Sequence, residues 1–291
     1  MLDLLQSARR LKQDLLEAPV KKSAALRGQA FVNLFFEPST RTKTSFELAG
    51  KYLGADVINF QGKGSSVEKG ETLYDTALNI EAMGVDLVVV RHQASGVPED
   101  LARYLAVPVV NAGDGFHEHP TQGLLDLMTV WERQSDLSSL HVVIVGDILH
   151  SRVARSDLWG FSAMGARVTL VGPPSLLPSA LDVQNVAMTT DLDAALAEAD
   201  VVQVLRIQKE RESMAGMPSL EEYRLRWGLT AARAKKLGSS AVILHPGPQN
   251  RGVEIDTPVM ADPRARVLGQ VENGVAVRMA VLDRLMGGRH E

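Results

Sequence analysis

No cysteine occurs anywhere in the 291 residues. Disulfides, thiolate nucleophiles and cysteine-ligated metal centres are excluded together. Positive charge is not in excess either: the formal net charge of −4 argues against a polybasic surface for nucleic acid or membrane. Any anion site must therefore be focused by local geometry. No apolar stretch approaches the ~20 residues of a membrane span, and no secretory signal precedes the first helical pattern, so a cytoplasmic location is expected. Strand ends complete neither G-x-G-x-x-G nor GxxxxGK[ST] nor G-x-S-x-G, which weakens nicotinamide, Walker-loop and serine-elbow readings. What the chain does have is apolar residues, at 45%, enough for a sizeable core and, at this length, for two domains.

Periodicity then sets out the elements. Leu5, Ala8, Leu11, Leu15 and Leu16 recur at helical spacing before Pro19. AFVNLFF (30–36), DVINF (56–60), DLVVV (86–90) and VPVVN (107–111) are short apolar runs of strand length. They alternate with helical patterns over 42–54, 72–84, PEDLARYLA and 121–134. After SDLSS a second series starts with HVVIVGD (141–147) and continues through SRVARSDLWGFSAMG, ARVTLVG, DLDAALAEAD, VVQVLR, LTAARAKKLG and AVILHPGP. Val271, Val275, Met279, Leu282 and Met286 share one face of a last helix, 271–288. Strands separated by helices imply parallel sheets. The expected fold is α/β with two domains, 1–134 and 135–270, each a mainly parallel sheet flanked by helices. The last helix is expected to pack back on the first domain, and the active site to lie in the cleft between the two.

Ligands of open α/β sheets collect beyond the carboxyl ends of strands, and polar clusters stand there. FFEPSTRTKTSFELAG puts Ser39, Thr40, Arg41 and Thr42 at a strand-to-helix turn. Free backbone N–H groups, the positive dipole end, three hydroxyls and a guanidinium would cradle a phosphate. The plain alternative is a capping Ser or Thr beside a solvated arginine; the density of donors favours the anion site. His119 precedes Pro120 at a helix start, with Gln122 three residues on. His117 and His119 lack the i, i+4 spacing of a helical zinc site, so no metal is expected. On residues alone His119 is open to a structural or a functional role. Arg206 and Gln208, two apart in RIQKER, would share a side and suit a carboxylate, though a solvated edge fits them too. HPGPQNRG, containing Gly247 and Pro248, is a rigid turn that would line a site or serve only as a turn.

FEPSTRT, the KGET loop end, VVVRH, NAGDG with HPTQGLLD, VGD with SR, RIQKER and HPGPQNRG, in this order along nearly the whole chain, resemble the aspartate/ornithine carbamoyltransferase family. The HPTQ and RxQKER forms point to its aspartate branch. The resemblance implies transfer of the carbamoyl group of carbamoyl phosphate to the amine of L-aspartate, in pyrimidine biosynthesis, with neither metal nor organic cofactor. It implies that Ser39, Thr40, Arg41, Thr42 and Arg91 bind the phosphate, that Thr42, Arg91 and His119 hold the carbamoyl oxygen, and that Gln122 lies near the carbamoyl amide. Gly247 and Pro248 would line the carbamoyl phosphate site; Arg152, Arg206 and Gln208 would bind the aspartate carboxylates. Ser65 and Lys69 would enter the site of a neighbouring subunit and bind carbamoyl phosphate there, with Lys69 also binding aspartate and counted with Arg41, Thr42, Arg91 and His119 as catalytic, which implies a homotrimer with shared sites. Glu37 would pair with Arg152 and Arg211 on domain closure. A regulatory chain or a dihydroorotase are further partners the resemblance leaves open. The chain departs from the family pattern at Lys43, where a second arginine is usual, and at Glu68, where some members carry lysine; its first helical pattern also begins very near residue 1. The ornithine branch typically has His-Cys-Leu-Pro where this chain has HPGP, and a non-catalytic anion-binding protein on the same fold is the reading from another class.

Overall fold

The computed structural model describes residues 1–61, 70–181, 183–208 and 216–287. The chain forms two units, Met1–Met128 with the chain from Val271 onward, and Thr129–Gln270.

The N-terminal unit runs α1 (Leu2–Glu17), β1 (Ala30–Phe35), α2 (Thr40–Leu53), β2 (Asp56–Gln61), α3 (Leu73–Ala82), β3 (Leu87–His92), α4 (Val97–Tyr104), β4 (Val109–Asp114) and α5 (Pro120–Trp131) as far as Met128. Its sheet is parallel throughout, ordered β2-β1-β3-β4. Side chains alternate across it, as strand geometry requires. Phe31, Phe35, Leu87, Val89, Val110 and Ala112 face a core with Phe46, Ala49 and Leu53 of α2, and with Met279, Leu282 and Met286 of the last helix, α10 (Val267–Met286). Val32, Leu34, Val88 and Val90 face a second core with Ala77, Ile80 and Leu101. Strands covered on both faces read as unbroken apolar runs, which is why they stand out in the sequence. Helix α2 lies close on the sheet: a Cβ on Gly50 would come within 2.8 Å of Phe31 and Val57 atoms. Two expected core positions are not buried: Leu16 is 69% exposed and Val271 48%, because each sits at the edge of its helix's apolar face.

The C-terminal unit runs β5 (His141–Val145), α6 (Arg152–Ala163), β6 (Arg167–Val171), β7 (Val186–Thr189), α7 (Leu192–Leu196), β8 (Val201–Val204), α8 (Leu220–Trp227), α9 (Ala231–Ala234) and β9 (Val242–Leu244). The order is β7-β6-β5-β8-β9, again parallel. One face buries Val143, Val145, Val202, Val204 and Ile243 beneath Leu192, Leu196, Tyr223 and Trp227. Sequence periodicity missed β7 and α8. Strand β7 is a four-residue edge with Ala187 and Met188 exposed, so it lacks an apolar run. Helix α8 is only eight residues long and buries Tyr223 and Trp227 alone.

Candidate active site

Each sheet has one point where the strand order reverses. In the N-terminal unit β1 is flanked by β2 and β3, and in the C-terminal unit β5 is flanked by β6 and β8. The chain leaves β1 and β3, or β5 and β8, in opposite directions there, and a crevice opens beyond the carboxyl ends. The chain beyond β1 carries Glu37 and the start of α2; β3 ends in Arg91 and His92; β5 leads to Arg152, the first residue of α6; β8 leads to Arg206 and Gln208. The topology thus groups the sequence-predicted residues into two sets, one per unit.

In the N-terminal unit, Ser39 caps α2 by position, with extended backbone (φ −156°, ψ 102°), yet its side chain makes no capping bond. Thr72, Ser151, Asp191, Ser219 and Thr230 do cap α3, α6, α7, α8 and α9 with their side chains. The plain capping reading of Ser39 therefore fails. The first turn of α2 also lacks an acid, so its donors and dipole face outward uncompensated by any residue of that turn. Thr40 and Arg41 are exposed and Thr42 is buried.

Arg91 sits where the β3–β4 register shifts, between Val90 and His92. Such irregularities re-aim a side chain. Its Nη1 donates to the Ala112 carbonyl (3.2 Å) and its Nη2 to Glu37 Oε1 (3.0 Å). Phe36 N–H donates to the Arg91 carbonyl (2.9 Å), tying the exits of β1 and β3. The contact between Glu37 and Arg91, within one unit, was not anticipated from sequence. His92 packs edge-on to Phe36, and burial pulls its pKa below the ordinary histidine value, with the charge of Glu37 pushing back.

Buried His119 precedes α5, and its carbonyl accepts from Gln122 N–H (2.9 Å). Gln122 gives its Nε2 to both oxygens of buried Asp126 (3.1 Å each), which leaves its amide oxygen as the acceptor. Asp114 organises the loop between β4 and α5. Its carboxylate, 1% exposed, accepts from Gly96 N–H, Asn111 Nδ2 and Glu118 N–H, and lies 3.1 Å from His117 Nδ1. Among the described residues no three histidines, aspartates or glutamates cluster as metal ligands would.

Arg278 of α10 is a further group that sequence reading missed, because it lies within an apolar helix pattern. It is 3% exposed, stacks 5.1 Å from the Phe46 ring centroid and donates to the Gly274 carbonyl (2.9 Å). Burial first, then the nearby Arg91 charge, pull its pKa down to about 9, and Asp126 opposes them. The unit thus holds two guanidinium groups in each other's field, with Asp126 as counter-charge to Arg278.

In the C-terminal unit, Ile207 is fully buried while Arg206 and Gln208 on either side are half-buried. Gly247 follows β9 with φ 64° and is joined to Pro248 by a cis peptide bond. Ser65, Lys69 and Arg211 lie outside the described residues.

Two family models match the chain: aspartate/ornithine carbamoyltransferase, carbamoyl-P binding domain, over residues 1–132, and the Asp/Orn binding domain over 138–285. The aspartate carbamoyltransferase catalytic subunit of Parafrankia sp. is 56% identical over 272 residues, 94% of this chain and 88% of that one. Its counterpart from Salinispora tropica is 55% identical over 274 residues, 93% and 89% of the two chains. Among solved structures, aspartate transcarbamoylase from Trypanosoma cruzi in complex with N-(phosphonacetyl)-L-aspartic acid superposes with a TM-score of 0.88 at 30% identity, covering 98% of this chain and 91% of that one. Ornithine carbamoyltransferase from Thermus thermophilus scores 0.85 at 29% identity, covering 97% and 93%. Fold likeness alone does not separate the two branches; the relatives at 55–56% identity are aspartate carbamoyltransferase catalytic subunits.

Proposed function

We infer that this chain, which belongs to the aspartate/ornithine carbamoyltransferase family, is an aspartate carbamoyltransferase. It transfers the carbamoyl group of carbamoyl phosphate to the amine of L-aspartate, giving N-carbamoyl-L-aspartate and phosphate. One observation supports the reading: Arg41, Arg91, Arg152 and Arg206 follow or end the strands that flank the switch points, β1, β3, β5 and β8, in a chain 56% identical to an aspartate carbamoyltransferase catalytic subunit.

The chemistry is the management of charge. Attack of the amine on the carbamoyl carbon forms a C–N bond and places negative charge on the former carbonyl oxygen; collapse breaks the C–O bond to phosphate. Thr42, Arg91 and His119 supply donors to that oxygen. The start of α2, with Ser39, Thr40 and Arg41, holds the phosphate, and an anion arriving at Arg91 takes the place of Glu37 on Nη2. Gln122, its nitrogen held by Asp126, presents an amide oxygen to the carbamoyl NH₂. Arg152, Arg206 and Gln208 bind the aspartate carboxylates, and the turn at Gly247 and Pro248 lines the carbamoyl end. His119 acts as a neutral donor; the departing phosphate oxygen takes the amine proton. Two anionic reactants repel each other, and Arg41, Arg91, Arg152 and Arg206 offset that repulsion.

The same reading makes the enzyme a cytoplasmic homotrimer of pyrimidine biosynthesis, with Ser65 and Lys69 completing a neighbour's site and Glu37 meeting Arg152 and Arg211 on closure. No described helix is long and apolar enough to cross a membrane. The test of function offers carbamoyl phosphate with L-aspartate or L-ornithine and identifies the product by mass. Carbamoyl aspartate with stoichiometric phosphate is expected; carbamoyl ornithine, or no product from either, overturns the reading. For shared sites, Lys69→Ala and Arg41→Ala chains are mixed under verified subunit exchange. Regained activity is expected, and none would mean self-contained sites.

A further inference from the structure

We infer that Glu254 and Asn250 are positioning residues for aspartate, locking the backbone that carries Arg206 and Gln208. The inference rests on the roles proposed above for those two side chains.

Glu254 is fully buried, and three donors converge on it. Asn250 N–H and His245 Nε2 (3.2 Å) reach Oε1, and Asn250 Nδ2 reaches Oε2 (3.1 Å). Gly247 N–H donates to His245 Nδ1 at 2.8 Å, so the ring proton is on Nε2 and the ring donates to the carboxylate. The other hydrogen of Asn250 Nδ2 goes to the carbonyl of Ile207, at 2.7 Å. One carboxylate thus gathers the 245–250 turn, and the amide it orients grips the residue between Arg206 and Gln208. Ile207 is pinned at both ends, its side chain in the core and its carbonyl on Asn250. A displacement at residue 207 would move both proposed carboxylate ligands together, and a fork such as the Arg206 guanidinium tolerates little misplacement.

Only a group that accepts without donating satisfies this arrangement. In Glu254→Gln an NH₂ faces either Asn250 Nδ2 or the Asn250 N–H and His245 donors. Turning the Asn250 amide over to meet it sets the Asn250 oxygen against the Ile207 carbonyl. Neither orientation leaves every group paired, and an unpaired buried donor or acceptor is costly. Asn250→Ala removes the grip on Ile207 at a half-buried position and leaves the core intact.

The experiment measures steady-state kinetics of wild type, Asn250→Ala and Glu254→Gln, varying each substrate in turn, alongside thermal unfolding. For Asn250→Ala the KM for aspartate should rise about tenfold, as loss of one buried hydrogen bond implies, while that for carbamoyl phosphate stays within about twofold. Glu254→Gln should show a larger split of the same sign. An unchanged aspartate KM in folded Asn250→Ala, or equal rises for both substrates, overturns the inference. If Glu254→Gln does not fold, Asn250→Ala decides alone. Wild-type protein that makes no carbamoyl aspartate would instead overturn the functional reading.

Discussion

The two units set their functional groups by different means. In the N-terminal unit secondary structure does most of the positioning: a helix start presents Ser39, Thr40 and Arg41, and a register shift with the Ala112 carbonyl aims Arg91. In the C-terminal unit Arg206 and Gln208 lie beyond the end of β8, outside helix or strand, and a buried network of Glu254, His245 and Asn250 reaches the backbone between them. Positions set by backbone geometry tolerate change in neighbouring side chains; positions set by a polar network fail when one member is lost. The N-terminal unit should therefore depend chiefly on the ligand-facing residues themselves, and the C-terminal unit also on residues that touch no substrate.

Arg41→Ala gives the largest expected effect, since Arg41 is the proposed guanidinium ligand of the leaving phosphate: turnover should fall by about 10²–10³-fold, measured as phosphate release. Normal turnover would remove the helix start from the account. Arg206→Ala should raise the aspartate KM by about 100-fold and spare that for carbamoyl phosphate, because a charge-assisted pair to one substrate is lost. An equal effect on both substrates would erase the division of labour between the units. Asp126→Ala sharpens the contrast from the other side, because Asp126 is a buried ion of the N-terminal unit. It leaves buried Arg278 without its opposing charge and should cost about 3 kcal/mol, read by denaturant unfolding. The smallest effect concerns pH. Burial, with Arg167 adding to it, holds the His141 ring below the ordinary histidine value of 6.5, and its hydrogen bond to the Glu198 carbonyl opposes this. The unfolded chain then binds a proton more readily than the folded one, so stability held above about pH 6.5 declines as the pH falls through the folded value. His141→Gln should flatten that slope in melts between about pH 5 and 7, and an unchanged slope would exclude His141 as its source.

How much of this was legible in the sequence follows from the same contrast. Central strands announce themselves as unbroken apolar runs because both faces are covered, and Ser39 to Thr42 stand out because hydroxyls and a cation crowd one turn. Strand β7 and helix α8 were illegible because so few of their residues are buried. Asp114, Asp126, Arg278 and Glu254 were missed for a different reason: each is a charge that tertiary structure buries beside partners remote in sequence or hidden in an unremarkable loop. The remote partners are the harder part. Arg278 is 187 positions from Arg91, whose field it feels, and no local pattern reports such a meeting.

The central claim is that Arg41 and Arg206 each serve one acidic end of the reactant pair. Calorimetric titration of N-(phosphonacetyl)-L-aspartic acid, which joins both acidic ends in one molecule, tests it most directly. The account predicts that Arg41→Ala and Arg206→Ala each weaken binding of this ligand by at least about tenfold while both proteins remain folded. Undiminished binding by either variant would contradict it.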